Sequence, residues 1–357
     1  MSEKQTFNNP GILLLNMKKR LVSLVILIII SLLMLSCAPQ IPEVVEVSSP
    51  EPEVPLPTPT EELVPEETEK VSPEKNSVAE VAEETTAPQW KYGGLAIGGN
   101  YADADFIDLG DGKYRMYMGI EPEVSGNNLE VYSAISSDGQ SWILENGERR
   151  THSVFPDVVK LPDGTWRMYF QNAGIIKSAK STDGLKWNDE SGTRIDINNQ
   201  LGLKFERVSG STTFYDGKNY LMVYSGSIMG KYKDAPNNDI AVLLWATSTD
   251  GLKFEVKGMA LDTRNDKYYG FADTPDLIQW DDGSIRLFFW GYFGIYESTF
   301  TGGSFTEPKM VYEAKDDDPM HRFPSSPPGD PTLAKIGSKW YMYYGQHTKG
   351  IFYATLE

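Results

Sequence analysis

Five copies of one hairpin phrase, a turn glycine at the same place in each, and further strands trailing every copy lead us to expect an all-β protein. The expected architecture is a five-bladed β-propeller with four-stranded antiparallel blades, its ring closed by an N-terminal strand. The copies are ADFIDLGDGKYRMYMG from Ala104, PDVVKLPDGTWRMYF from Pro156, GSTTFYDGKNYLMVYSG from Gly210, PDLIQWDDGSIRLFFWG from Pro275 and DPTLAKIGSKWYMYYG from Asp330.

Each copy reads as an apolar strand, a turn and an aromatic-rich strand. The turn glycines are Gly112, Gly164, Gly217, Gly283 and Gly337, spaced by roughly 52–66 residues. Asp-Gly is the strongest short hairpin signal, because glycine accepts the positive φ that a two-residue turn demands. A third strand follows in YSAISSDGQSW, IKSAKSTDGLKW and LLWATSTDGLKF, whose Ser-x-Asp-Gly segments read as outer hairpin turns; GIYESTF and GIFYATLE are shorter equivalents. A fourth strand follows in KFEVKGMAL and EPKMVYEA. The last copy stops at Glu357 after its third strand, so QWKYGGLAI, Gln89 to Ile97, is the expected donor that closes the ring. Arg115, Arg167 and Arg286 recur three residues after the turn glycine and read as repeated structural pairing.

Ahead of the repeats, residues 1–37 read as an export signal. Lys18, Lys19 and Arg20 precede an apolar run from Leu21 to Leu35, and the segment ends in Met-Leu-Ser-Cys at Cys37, where a bacterial lipobox places the lipidated residue. Met17 is the better start than Met1. Residues 38–88 are Pro-, Glu-, Val-, Ser- and Thr-rich, with 13 Glu against two Lys, and read as a disordered acidic tether. Residues 89–357 are the propeller domain. Localisation at the cell membrane or outer membrane, outside the cytoplasm and held only by the lipid, is the corresponding expectation, with the domain a monomer.

The net charge of −17, without any Lys/Arg-rich run, argues against nucleic acid as a partner. Cys37 is the single cysteine, so the domain has no disulfide, and no zinc-type Cys/His spacing or phosphate-binding glycine loop is present.

Counting back seven residues from each turn glycine reaches Asp105, Asp157, Gly210, Asp276 and Asp330. Since the first strand of every propeller blade lines the central channel, these acids are expected at one mouth. Two roles are open to them. Each carboxylate can accept backbone N–H groups of a neighbouring blade, or the crowded carboxylates can raise one another's pKa and recruit a cation or sugar hydroxyls.

With an acid opening the inner strand in phrases of the form Asp-Pro-x-apolar-apolar, the domain resembles the arabinanase and β-xylosidase glycoside hydrolases of family 43 and their invertase and levansucrase relatives. The resemblance implies hydrolysis of glycosidic bonds in an oligo- or polysaccharide by general acid and base, with Asp105 as base and Asp157 as the orienting, pKa-setting acid. The third-blade acid is out of register, because Gly210 stands in its place. Glu206 is the nearest carboxylate and Asp276 the alternative proton donor. Asp330, Trp290 and Tyr292 are candidate substrate contacts; Trp245 shares the aromatic argument, although strand aromatics also serve blade packing. His347 resembles a fifth-blade histidine that in some members helps hold a central calcium ion or a water network. No cofactor is required, and no metal ligand set is expected beyond such a structural Ca2+ in the channel. A propeller that binds glycan without cleaving it, and a cell-envelope scaffold for protein partners, are the alternatives.

Overall fold

The computed structural model describes residues 88–120, 129–198, 201–235, 239–313, 329–346 and 349–357. The expected signal, Cys37 and His347 lie outside them, as does the expected tether apart from Pro88. The described residues form five antiparallel blades. Blade 1 comprises Tyr101–Gly110, Lys113–Ile120, Glu130–Ser136 and Ile143–Leu144, with Arg150–Thr151 also paired to its third strand. Blade 2 comprises Val154–Lys160, Trp166–Asn172, Ile175–Ser181 and Asn188–Asp189, and blade 3 Arg207–Tyr215, Tyr220–Met229, Asp239–Ser248 and Glu255–Leu261. Blade 4 is built from Ala272–Gln279, Ile285–Gly291, Gly294–Phe300 and Lys309–Tyr312. Blade 5 takes Gly329–Ile336, Lys339–Gln346 and Gly350–Leu356 from the end of the chain and Trp90–Gly98 from its beginning.

That N-terminal strand closes the ring as expected. Gln89 and Glu357 exchange backbone hydrogen bonds of 2.9 and 3.0 Å, and Trp90, 7% exposed, is buried beside Phe288. An otherwise open edge is thereby paired.

The core lies within and between the blades. One register position of the second strand is occupied by Met116, Met168, Met222, Leu287 and Met342, all buried, each facing the inner-strand residue that follows the channel position. Unbranched methionine fills the uneven gaps between twisted sheets. In blade 1 the Asp111-Gly112 turn has φ of 53° and 67°, the two left-handed residues of a type I′ hairpin.

Three of the joints between blades are latched at the far end. Tyr117 donates to the Gly184 carbonyl at 2.8 Å, Tyr169 to that of Gly251 at 2.8 Å and Tyr343 to that of Gly139 at 2.7 Å. Those acceptors close the Ser-x-Asp-Gly turns, where the serine hydroxyl accepts from the glycine N–H and the aspartate from the two amides beyond. The recurring arginines pair structurally. Arg115 forks onto Glu145, Arg167 onto Glu190, and Arg286 reaches Glu297.

Candidate functional site at the funnel mouth

Every inner strand carries a bulge near its start, two residues opposite one on the second strand. The pairs are Asp103-Ala104, Phe155-Pro156, Gly210-Ser211, Thr274-Pro275 and Asp330-Pro331. The first residue of each has a left-handed φ, 53°, 52°, 45°, 44° and 51° respectively. Three of the second residues are proline, which lacks the N–H that an unpaired bulge position does not need.

The residue after each bulge fastens its blade to the next. Asp105 Oδ2 accepts the Val158 N–H at 2.9 Å, Asp157 Oδ1 the Thr213 N–H at 3.1 Å, and Thr212 Oγ1 the Leu277 N–H at 2.8 Å. Asp276 Oδ2 accepts the Leu333 N–H at 3.0 Å and Thr332 Oγ1 the Phe106 N–H at 3.3 Å, which completes the circle of five joints.

The expectation of four acids in one register needs correcting here. The true ring is Asp105, Asp157, Thr212, Asp276 and Thr332, while Gly210 and Asp330 stand two residues earlier, in the bulges. Hairpin length is the reason. Five residues connect the paired ends Lys160/Trp166 and Gln279/Ile285, four connect Tyr215/Tyr220, and two connect Ile336/Lys339. A fixed count back from the glycine therefore lands on different levels of the strand.

The ring acids are electrostatically strained. Burial pushes the Asp105 carboxyl well above its ordinary value, and the carboxyls of Asp157 and Asp276 add to it against the Val158 N–H. Burial likewise raises Asp157 to about 7, opposed by the Thr213 N–H and hydroxyl, the latter at 2.7 Å. Asp276 is raised by burial to about 7, opposed by Leu333 and Thr332. Asp273, just before the fourth bulge, is raised by burial as well.

Inside this collar lies a space of about 30 Å3 lined by Asp103, Asp105, Asp276, Asp330, Thr212 and both bulge residues of blades 2, 3 and 4. A water needs roughly 10–15 Å3 of such space, so it has room for a few waters. Ser211 and Thr274 line it with buried hydroxyls that find no hydrogen-bond partner within the described residues. No set of three or more His, Cys, Asp or Glu side chains is gathered for a metal among the described residues, and the expected ligand His347 lies outside them. One oxygen of each ring carboxylate is given to a backbone N–H of the next blade.

Glu206 is exposed and does not line this space. Trp290 packs edge-on against Phe271 at 4.9 Å, and its ring lies so close to Gly329 that a Cβ there would come within 2.9 Å. Tyr292 joins a chain of rings at the mouth end of blades 3 and 4, 5.2 Å from Tyr269, which is 5.9 Å from Tyr232. The Tyr232 hydroxyl donates to Asp266 at 2.7 Å and that of Tyr269 to Asp234, so both rings are held. Trp245 packs on Phe300 and Phe305 and lies away from the funnel.

Asp103 is the residue that sequence reasoning missed, and a signal for it existed. Blade 5 carries the phrase Asp-Pro-x-apolar-apolar as Asp330-Pro331-Thr332-Leu333-Ala334. In structural register blade 1 reads Asp103-Ala104-Asp105-Phe106-Ile107, so the acid that opens the phrase is Asp103 rather than Asp105.

No family model matches the chain, and no curated protein does. Solved structures do. A protein of unknown function from Dyadobacter fermentans is 14% identical, with a TM-score of 0.52 over 76% of this chain and 100% of that one. A putative glycosidase from Bacteroides thetaiotaomicron is 15% identical, with a TM-score of 0.55 over 72% of this chain and 86% of that one. A thermostable family-43 glycoside hydrolase is 15% identical, with a TM-score of 0.52 over 74% and 90%. Likeness at this level of identity speaks for the fold: the domain is a five-bladed β-propeller of the architecture found in glycoside hydrolases.

Proposed function

We propose that the domain is a carbohydrate-active propeller that hydrolyses a glycosidic bond at the mouth of its funnel. One observation carries the reading: the small space beneath the mouth, lined by carboxyls and unpartnered hydroxyls. A water seated there, with Ser211 and Thr274 to orient it, stands below a sugar bound at the mouth. Asp103 is the base. A general base must be ionised before it acts, and Asp105, one oxygen tied to Val158 and its pKa pushed up, is better suited to hold a proton. Asp276, near 7, is assigned the proton donor in place of Glu206. The rings of Tyr292, Tyr269 and Tyr232 offer apolar faces for the sugars beyond the cleaved bond.

A second reading, binding without hydrolysis, is favoured by one feature. Asp103 and Asp276 line the same small space, whereas attacking water and leaving oxygen stand on opposite faces of the sugar in an inverting reaction. Arabino-, xylo- and manno-oligosaccharides and their aryl glycosides decide between them. Hydrolysis that Asp103→Asn abolishes at an unchanged melting temperature supports the first reading. Full activity in Asp103→Asn overturns the assignment of the base, and binding at the funnel without turnover of any substrate establishes the second reading. Glu206→Gln is expected to hydrolyse as the wild type does; a selective loss on substrates with poor leaving groups would return the acid to Glu206. The domain's place outside the cytoplasm rests on Cys37 as a lipidated residue, and Cys37→Ser is expected to lose fatty-acid label and membrane association.

A further inference from the structure

The five joints between blades are fastened alike at the channel but not at the far end. Where Tyr117, Tyr169 and Tyr343 latch onto the turn of the next blade, the same register position is Phe288, a large ring that fills its joint, in blade 4 and Val223 in blade 3. The arginine position, Arg115 and Arg167 in blades 1 and 2, is Leu221. The third-strand serine, Ser133 and Ser178 there, is Trp245. On the facing side blade 4 turns through Thr301-Gly302-Gly303-Ser304 instead of Ser-x-Asp-Gly. A Cβ at Gly184 or Gly251 would meet the latching tyrosine and arginine within 2.8 Å, whereas at Gly302 it would meet no atom within 4 Å.

The missing latch leaves a groove of about 540 Å3 between blades 3 and 4, within the size range of small-molecule sites. Phe214, Trp245, Ile285 and Phe300 give it apolar and aromatic walls, and Asn219 and Thr247 bring polar groups. Its charged lining balances, with Asp216 and Glu255 against Lys253 and Lys257, and Lys257 is already paired to Glu255 at 2.6 Å. It opens beside the turns 216–219 and 248–253, at the opposite end of the inner strand from the Gly210 bulge.

We propose that this groove is a second carbohydrate-binding site, distinct from the funnel, which takes a neutral oligosaccharide and holds the domain on a glycan while the funnel works on another stretch. Aromatic faces with scattered hydrogen-bonding groups and no net charge suit a ligand that has apolar ring faces and many hydroxyls but no ionic group. The inference rests on the glycan reading of the domain, and stoichiometry separates the two.

The measurement is calorimetric titration of xylohexaose, arabinohexaose and mannohexaose into Asp103→Asn, which is expected not to consume them, and into Asp103→Asn combined with Thr247→Trp, which fills the groove. Two sugars bound per chain are expected to fall to one. An unchanged stoichiometry in the double variant overturns the groove while leaving the funnel standing. One sugar falling to none would keep the groove and overturn binding at the funnel, and no binding to either variant overturns both. Should Thr247→Trp fail to fold, Asn219→Ala is the second variant. At least a five-fold weakening of one of the two binding events is expected, and two unaltered events would refute the site.

Discussion

Replacing Asp157 by Asn is predicted to stabilise the domain at neutral and alkaline pH and to do so progressively less in acid. Asp157 is 4% exposed, and burial raises its carboxyl from about 3.8 to about 7. In the folded protein it therefore keeps a proton that the unfolded chain releases above about pH 4. Stability falls with rising pH wherever the folded state binds more protons, so the loss runs from about pH 4 to about pH 7 and then levels off. Linkage makes the cost of the carboxylate small at pH 4 and on the order of several kcal/mol at pH 8. Asparagine can keep both contacts with Thr213, its oxygen accepting the N–H and its NH2 donating to the hydroxyl. Urea denaturation of wild type and Asp157→Asn at pH 4, 6 and 8 measures the gap between them. A gap that widens by several kcal/mol from pH 4 to pH 8 is expected, on top of any constant offset from the substitution. A gap independent of pH, or one that narrows, would refute the argument that burial holds this carboxyl protonated.

Thr212→Val should cost about 1–3 kcal/mol by leaving the buried Leu277 N–H without an acceptor, whereas Thr212→Ser should cost much less; chemical denaturation of the pair tests the ring as a fastener. Tyr117→Phe, which removes the hydroxyl that bonds the Gly184 carbonyl and meets the Arg115 side chain, should cost about 0.5–1.5 kcal/mol, and a melting temperature equal to wild type would show that the latch is idle. Removing residues 89–97 should lower the melting temperature of the whole domain, because the last blade loses its outer strand and Trp90 leaves the cluster with Phe288; an unchanged value would contradict closure by that strand.

The repeats made the fold legible, because a strand pair that must bury both faces betrays itself through period-two patterning and turn glycines. Gly112, Gly164, Gly217, Gly283 and Gly337 do mark the five hairpins, and Arg115, Arg167 and Arg286 do pair as structural residues. What could not be read was the level of each residue along the channel. That level depends on where the strand bulges and how long its hairpin is, and neither changes the apolar pattern on the packed faces. Asp105, Asp157 and Asp276 were therefore found, yet Asp330 was placed in their ring and Asp103 was passed over. Glu206 was drawn in because it is close in sequence; its exposure was invisible to a count. The second and third strands of blade 3 hid their meaning for a related reason. Val223 and Trp245 are ordinary strand residues, and only beside Tyr117, Tyr169, Ser133 and Ser178 do they mark a joint without a latch.

Fastening and chemistry compete for the same carboxylates at the hub. A ring position must present an oxygen to the next blade, and threonine does this as well as aspartate, as Thr212 and Thr332 show. Neutral threonine at all five joints would close the ring without burying acids that push one another's pKa upward. Three aspartates persist in the ring, two of them, Asp105 and Asp276, beside the small space in the funnel, and two further acids, Asp103 and Asp330, line it from the bulges above. The bulge residues do not belong to the fastening ring, and the acids placed there, Asp103 and Asp330, line the space that a ligand at the mouth would face. That division predicts opposite signatures for the two levels. Asn in the ring, at Asp157, changes how stability responds to pH, whereas Asn in the bulge, at Asp103, is expected to abolish turnover. Should Asp103→Asn keep full turnover at an unchanged melting temperature, the bulge acid is not the base, and the base has to be sought elsewhere in the funnel.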